Sequence, residues 1–287
     1  MIRQIDTRVP CEVERQVHST YLSLFHEGDR AFVPQAFRWA KQCFDGHYAD
    51  YQPIDARYHD FEHTLQGTLC LALLFQGRHS AKASPPLPIK MFELSLLAML
   101  FHDAGYLKKK DDAEGSGAKY TSVHVGRSAL FAKEFLTQQG YSAADITAIQ
   151  NMIRCTGVNV DLQSIPFQSE LEKLVGFALG TADLLGQMAA LDYVDKLPVL
   201  YEEFAEAARY YGAKSLRVGA FNSAEELMRN TPDFWESYVL PRIQGDFSKL
   251  YTFLNDPYPD GPNPYLRRIE QNMTRLRQEF GASKLGV

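Results

Sequence analysis

The chain has 287 residues, enough to bury a sizeable core, and its 45% apolar and 23% charged residues are those of an ordinary globular protein. Thirty basic against 35 acidic side chains give a formal charge of −5 with no long cationic run, which argues against a nucleic-acid partner. The first twenty residues hold no apolar stretch of the secretory kind and the longest apolar run, "LSLLAMLF", is too short to span a bilayer, so a cytoplasmic protein with no membrane partner is expected.

Apolar residues recur at helical spacing along almost the whole chain, while strand-like alternation is scarce, so the expected fold is all-α. In chain order, the spacing predicts helices over 11–26, 30–44, 59–78, 90–104, 121–139, 142–155, 169–190, 192–211, 223–254 with breaks at Pro232 and Pro241, and 263–281. "SAKASPPLPIK", with three prolines, reads as a stiff linker. Residues 107–120, "LKKKDDAEGSGAKY", read as a long solvated loop placed to act as a lid, with Lys108, Lys109, Lys110 and Lys119 among its acids. No repeat or shift in composition marks a boundary. The simplest division is one domain with an N-terminal helical segment over 1–57, a core over 58–190 and a C-terminal extension over 191–287. Cys11, Cys43, Cys70 and Cys155 lie far apart without C-x-x-C spacing, so each is expected as a small buried side chain rather than a metal thiolate or redox partner.

Three stretches carry chemistry. "YHDFEH", residues 58–63, sets His59 and His63 four apart, which on a helix places both on one face with Asp60 and Glu62 turned away. "FELSLLAMLFHDAGYL" is apolar on nearly every side from Phe92 to Phe101, as a fully buried helix is, and then presents His102 and Asp103. A carboxylate there needs a cationic partner or it protonates. Gly105 is placed to stop the helix, so the pair falls at a C-terminal end, where the helix dipole favours positive charge. A divalent metal satisfies both demands. "LVGFALGTADLLGQMAA" holds Asp183 alone among apolar and small residues, with Gly176, Gly180 and Gly186 permitting other helices to come close. Taken singly, Asp183 reads as well as a cap or a backbone-bonded aspartate, and the two histidines as a solvated helix face.

Taken together, His-x-x-x-His, His-Asp closing a buried helix and a later buried Asp resemble the signature of the HD superfamily of metal-dependent phosphohydrolases. Within it the chain looks most like the catalytic domain of class I cyclic nucleotide phosphodiesterases. That family's Y-H-N-x-x-H is matched by Tyr58, His59 and His63, with Asp60 in place of asparagine, its H-D by His102 and Asp103, and its A-D-L by Ala182, Asp183 and Leu184. Its phenylalanine followed by V-x-P is matched by Phe234, Val239 and Pro241, so the likeness runs over residues 58–275 and is strongest at the metal motifs. It implies a multi-helix bundle with the metal site in its core. It also implies His63, His102, Asp103 and Asp183 as metal ligands, His59 as general acid and Phe234 stacked on a base. Two departures stand out: Tyr106 where the family has a second histidine, and Thr231 where it has a purine-reading glutamine.

Such a nitrogen and oxygen donor set suits manganese, iron, magnesium, cobalt or zinc, and a bound ion of this kind acidifies water and polarises a phosphoryl oxygen. Protonation of the departing alkoxide by His59 would accelerate the reaction by about a hundredfold to ten-thousandfold. Asp103 could bridge to a second ion. His124 is then a further ligand or phosphate contact, or else a buried hydrogen-bonded histidine, and Arg127, three residues on, a guanidinium suited to phosphate or a surface ion pair. His18, His26, His47 and His79 match no pattern. The expected activity is hydrolysis of a small-molecule phosphoester, nucleotide-like by resemblance. The alternatives are a silent nucleotide-binding module and a di-iron oxygenase, which needs more histidines than His124 adds.

Overall fold

Asp60, Ser142, Ser169, Ser223 and Asn263 each stand one residue ahead of an apolar run at helical spacing. Each accepts a backbone N–H of the first turn on its side-chain oxygen, satisfying a donor that the helix itself cannot. These caps start five of the helices in the computed structural model, which describes residues 5–158, 160–212 and 221–281. The α-helices are α1 (Pro10–Leu24), α2 (Phe32–Phe44), α3 (Phe61–Ser80), α4 (Ile89–Phe101), α5 (His124–Gln138), α6 (Ala143–Arg154), α7 (Glu170–Met188), α8 (Tyr193–Tyr211), α9 (Ala224–Phe234) and α10 (Pro264–Phe280). Among the described residues there is no strand, only an isolated antiparallel bridge between Tyr51 and Lys109. The fold is all-α.

The apolar run of α4 lies at the centre. Leu97, Ala98, Met99, Leu100 and Phe101 are fully buried, with α2, α3, α5, α6 and α7 packed around them. One hydrophobic cluster continues outward from there, from Val13 on α1 to Leu276 on α10. Removing a leucine or phenylalanine from water contributes about 1.5–3 kcal/mol, so the middle of α4 is firmly held in the frame. The longest contact between helices runs along α3 and α7. It depends on Gly186: a Cβ there would lie 2.7 Å from the backbone carbon of Gln66 and 2.8 Å from the nitrogen of Gly67. α7 and α8 then meet at 109°, which turns α8 back across the start of α3. Among the described residues no single helix is long and apolar enough to cross a membrane.

The structure departs from the sequence expectations in four places. First, α3 begins at Phe61, because Asp60 caps it by accepting the His63 amide at 2.9 Å, so His59 stands outside the helix. Secondly, the helix expected over 223–254 ends at Phe234 and continues as π-helical turns over Trp235–Val239 and Arg242–Asp246 and a 3-10 turn over Leu250–Leu254. Pro241 has no N–H to return to the preceding turn, and the wider i→i+5 winding on either side accommodates it, whereas Pro232 is carried inside α9.

Thirdly, residues 107–120 are clamped rather than solvated. Lys108 is buried, donating to the Gly115 carbonyl at 2.6 Å and pairing with Asp55 at 2.9 Å. Lys119, also buried, pairs with Asp112, which accepts the Tyr120 hydroxyl as well. Lys109 lies over the Tyr51 ring, and only Lys110 of the four lysines is exposed. Interleaved lysines and acids neutralise one another in place, so a polar composition folds into a wall. Fourthly, Cys11 is exposed on α1, whereas Cys43, Cys70 and Cys155 are buried as expected and all four are free thiols. Burial pushes the Cys43 and Cys155 thiols up to about 12.

Candidate metal centre

α4 ends at Phe101, and its next two residues, His102 and Asp103, turn into a 3-10 turn over Ala104–Tyr106. His102 Nδ1 lies 2.7 Å from the Met99 carbonyl, which accepts its N–H and turns Nε2 toward the centre. Opposite stands His63, in the first turn of α3, and across the α3–α7 contact comes Asp183. The His63 Nε2 is 3.1 Å from Asp103 Oδ2 and 3.3 Å from Asp183 Oδ1. The His102 Nε2 is 3.3 Å from each of the same two oxygens. All four side chains are buried.

Within the cluster imidazoles and carboxylates set one another's charge. Burial opposes a charge on His63, but hydrogen bonding to Asp103 and Asp183 outweighs it and raises its pKa to about 10. His102 is raised against the same burial by the charges of both aspartates. Burial likewise works against the two carboxylates, yet the facing imidazoles hold both below the usual range. Among the buried side-chain atoms that lack a well-formed hydrogen bond are two of this cluster, His102 Nε2 and Asp103 Oδ2, which face each other, and the Tyr106 hydroxyl. Orphaned buried donors and acceptors are rare, and a lone pair and a carboxylate oxygen aimed at one point are what a shared cation satisfies. One ligand atom each from His63, His102 and Asp103 falls within 4.8 Å of the others, a spacing that one ion can fill. The donor set therefore fits a divalent metal.

The other oxygen of Asp103 faces His124. His124 Nε2 lies 3.7 Å from Asp103 Oδ1, and its Nδ1 is held 2.7 Å from the Thr121 carbonyl, so His124 does reach the centre. Burial lowers its pKa, which keeps the ring neutral. Gly105 makes this possible by close approach, not by stopping a helix: a Cβ there would lie 2.1 Å from the His124 carbonyl oxygen. Tyr106 fills the gap beyond, its ring stacked 4.5 Å from that of His59 and 4.7 Å from that of His124. Arg127 is held by backbone and an aromatic ring. Its Nε donates to the Gly105 carbonyl at 2.7 Å and its Nη2 to the Leu107 carbonyl at 2.9 Å, and its guanidinium lies 3.5 Å over the Tyr120 ring. It is spent on the backbone that follows the His-Asp pair.

His59, though outside α3, lies beside His63 with ring centroids 5.3 Å apart. Its Nδ1 is 2.6 Å from Oε2 of Glu203 on α8, whose Oε1 accepts the Tyr58 amide at 2.7 Å. Burial opposes the charge on Glu203, but His59 and these hydrogen bonds hold its pKa below the ordinary value. Glu203 has no counterpart in the sequence-level site. Its signal was present, since it lies three after Leu200 and four before Ala207 on the apolar face of α8.

These groups form one end of a cavity of about 470 Å³ that also reaches Thr231 and Phe234. Thr231 is buried and donates its hydroxyl to the Leu227 carbonyl, while Phe234 stacks on Tyr238 at 5.0 Å. A family model described as Npun_R2479-like matches residues 109–255, just over half of the chain, a stretch that contains His124, Asp183, Glu203 and Phe234 but neither His63 nor the His102–Asp103 pair. No curated protein matches the sequence.

Proposed function

The chain belongs to the Npun_R2479-like family, and for the centre it carries we propose a metal-dependent phosphohydrolase of the HD type, acting on a small-molecule phosphoester. The observation that carries the reading is the set of two imidazole nitrogens and two carboxylate oxygens at 3.1–3.3 Å, buried and partly orphaned, beside a histidine held by a buried glutamate. His63, His102, Asp103 and Asp183 would hold the ion, with Asp103 Oδ1 and His124 on the side where a second would sit. Bound there, manganese, iron, magnesium, cobalt or zinc supplies acidified water and a Lewis acid for a phosphoryl oxygen.

The remaining work falls to the chain itself. Hydrolysis joins the oxygen of water to phosphorus and breaks the ester P–O bond, and the departing oxygen needs a proton. His59 delivers it from Nε2, since Nδ1 is engaged by Glu203. Glu203 fixes the ring and, through the Tyr58 amide, the backbone that carries it. Tyr106 packs flat against the same ring and keeps water from that face. Nucleotide-like phosphodiesters are the substrates that the resemblance implies.

The test is a screen of protein loaded with each of the five metals against cyclic mononucleotides, cyclic dinucleotides, nucleoside monophosphates and aryl phosphates, with elemental analysis of the same preparations. Asp103→Ala is expected to lose metal and turnover together. Wild-type protein that holds no ion under any loading, or an Asp103→Ala variant with undiminished turnover, removes the reading.

A further inference from the structure

Away from the histidines and aspartates, the cavity is walled by Leu184, Leu197, Leu200, Phe204, Leu227 and Phe234. Three polar side chains set among them each spend at least one bond within the protein. Thr231 donates to the Leu227 carbonyl at 2.8 Å, and Asn230 donates its amide to the Glu226 carbonyl at 2.7 Å. Gln187 donates to the Asp183 carbonyl at 3.3 Å and accepts the Tyr58 hydroxyl at 3.1 Å. A nucleobase laid edge-on against the leucine and phenylalanine wall would bury ring N–H and carbonyl groups against hydrocarbon, and a buried polar edge without partners opposes binding.

One lysine or arginine lines this cavity among the described residues: Arg154, at the end of α6. Its Nη1 donates to Asn151 Oδ1 at 2.6 Å. Asn151 is fully buried and anchored in turn, donating to Glu172 Oε1 at 2.8 Å and to the Pro166 carbonyl at 3.0 Å. Arg154 is thus oriented by a neutral amide and stands in no ion pair among the described residues. A guanidinium on a largely apolar wall that carries no carboxylate partner of its own among the described residues is matched by an oxyanion on the ligand.

We propose that the substrate is an amphiphilic phosphoester, with an alkyl or aryl organic group seated on the leucine and phenylalanine wall and an oxyanion taken by Arg154. This rests on the phosphohydrolase reading and narrows it away from base recognition. Each methylene moved from water onto such a wall raises affinity by about threefold to fourfold.

Alkylphosphonates test the class without turnover, because their P–C bond is not an ester. Calorimetric titration of the metal-loaded protein with methyl-, butyl-, hexyl- and phenylphosphonate is expected to show affinity climbing with chain length by about threefold per methylene, with adenosine 5′-monophosphate weaker than phenylphosphonate. Arg154→Gln should weaken every phosphonate by about tenfold, with Arg154→Lys in between, and leave metal content unchanged. Affinity indifferent to chain length, a nucleotide tighter than hexylphosphonate, or equal binding by Arg154→Gln overturns the proposal. Hydrolysis of 4-nitrophenyl phosphate, followed in parallel, separates the two readings. Turnover with a flat chain-length series sinks the substrate class alone, and a rising series without turnover on any ester sinks the hydrolase alone.

Discussion

Glu203 Oε2 lies 2.6 Å from His59 Nδ1, although the two residues are 144 positions apart. The exchange of one acid oxygen for an amide keeps the shape of this contact and removes its charge. Glu203→Gln is expected to keep the metal and to lower kcat on esters with alkyl leaving groups by about tenfold to a hundredfold, with aryl esters less affected. His59→Ala should show the same pattern more strongly, by about a hundredfold to ten-thousandfold. Plotting kcat against leaving-group pKa for each variant checks both, and parallel lines for variant and parent remove His59 from the role of acid.

Gly186 has no room for a side chain, and the atoms in the way are backbone atoms of Gln66 and Gly67, which cannot swing aside. Gly186→Ala should push α3 and α7 apart, costing about 1–3 kcal/mol of stability and loosening the grip of Asp183 on the centre. Urea unfolding together with a metal titration reads both effects. An undisturbed metal affinity in a destabilised variant means that the α3–α7 spacing does not set the centre.

Arg127 holds two carbonyls, those of Gly105 and Leu107, with a planar fork that lysine does not possess. Arg127→Lys is therefore expected to lower unfolding free energy by about 1–3 kcal/mol with KM for a phosphoester unchanged. The reverse result, a raised KM at parental stability, restores the phosphate role.

Acid should release the clamped loop. Burial opposes ionisation of Asp112, but its bonds with Lys119 and Tyr120 lower its pKa below the ordinary 3.8. A lowered carboxyl pKa contributes stability that is present above 3.8 and is lost as pH falls through the folded value. Hydrogen exchange at the amides of residues 115–120 should accelerate below that point. In Asp112→Asn the same amides should already exchange fast at neutral pH and show no acid step.

The residues of the centre were legible because each lies in a local pattern with a physical demand. His102 and Asp103 end a helix too apolar to be anything but buried, and Asp183 stands alone in another. The His59–His63 spacing led to the right pocket by the wrong geometry, since the Asp60 cap, not a helical turn, sets the two rings side by side. Glu203 escaped because Glu202 beside it has identical chemistry yet pairs with Arg57 in solvent, and only the apolar phase of α8 separates them. Lys108 was misplaced, and Arg127 left undecided, for a related reason. Charge invites a solvated or ligand-facing reading, while buried backbone carbonyls, which composition does not display, were what these cations satisfied.

The α3–α7 contact carries one more consequence, for the order of assembly. A ribosome reading from the N-terminus releases His63 about 120 residues, and His102 and Asp103 roughly eighty residues, before Asp183, and Glu203 later still. A nascent chain thus presents three of the four candidate donors before the last. Only when α7 docks on α3 does Asp183 join them, so under the proposed metal reading the choice of ion would belong to the closing stage of folding.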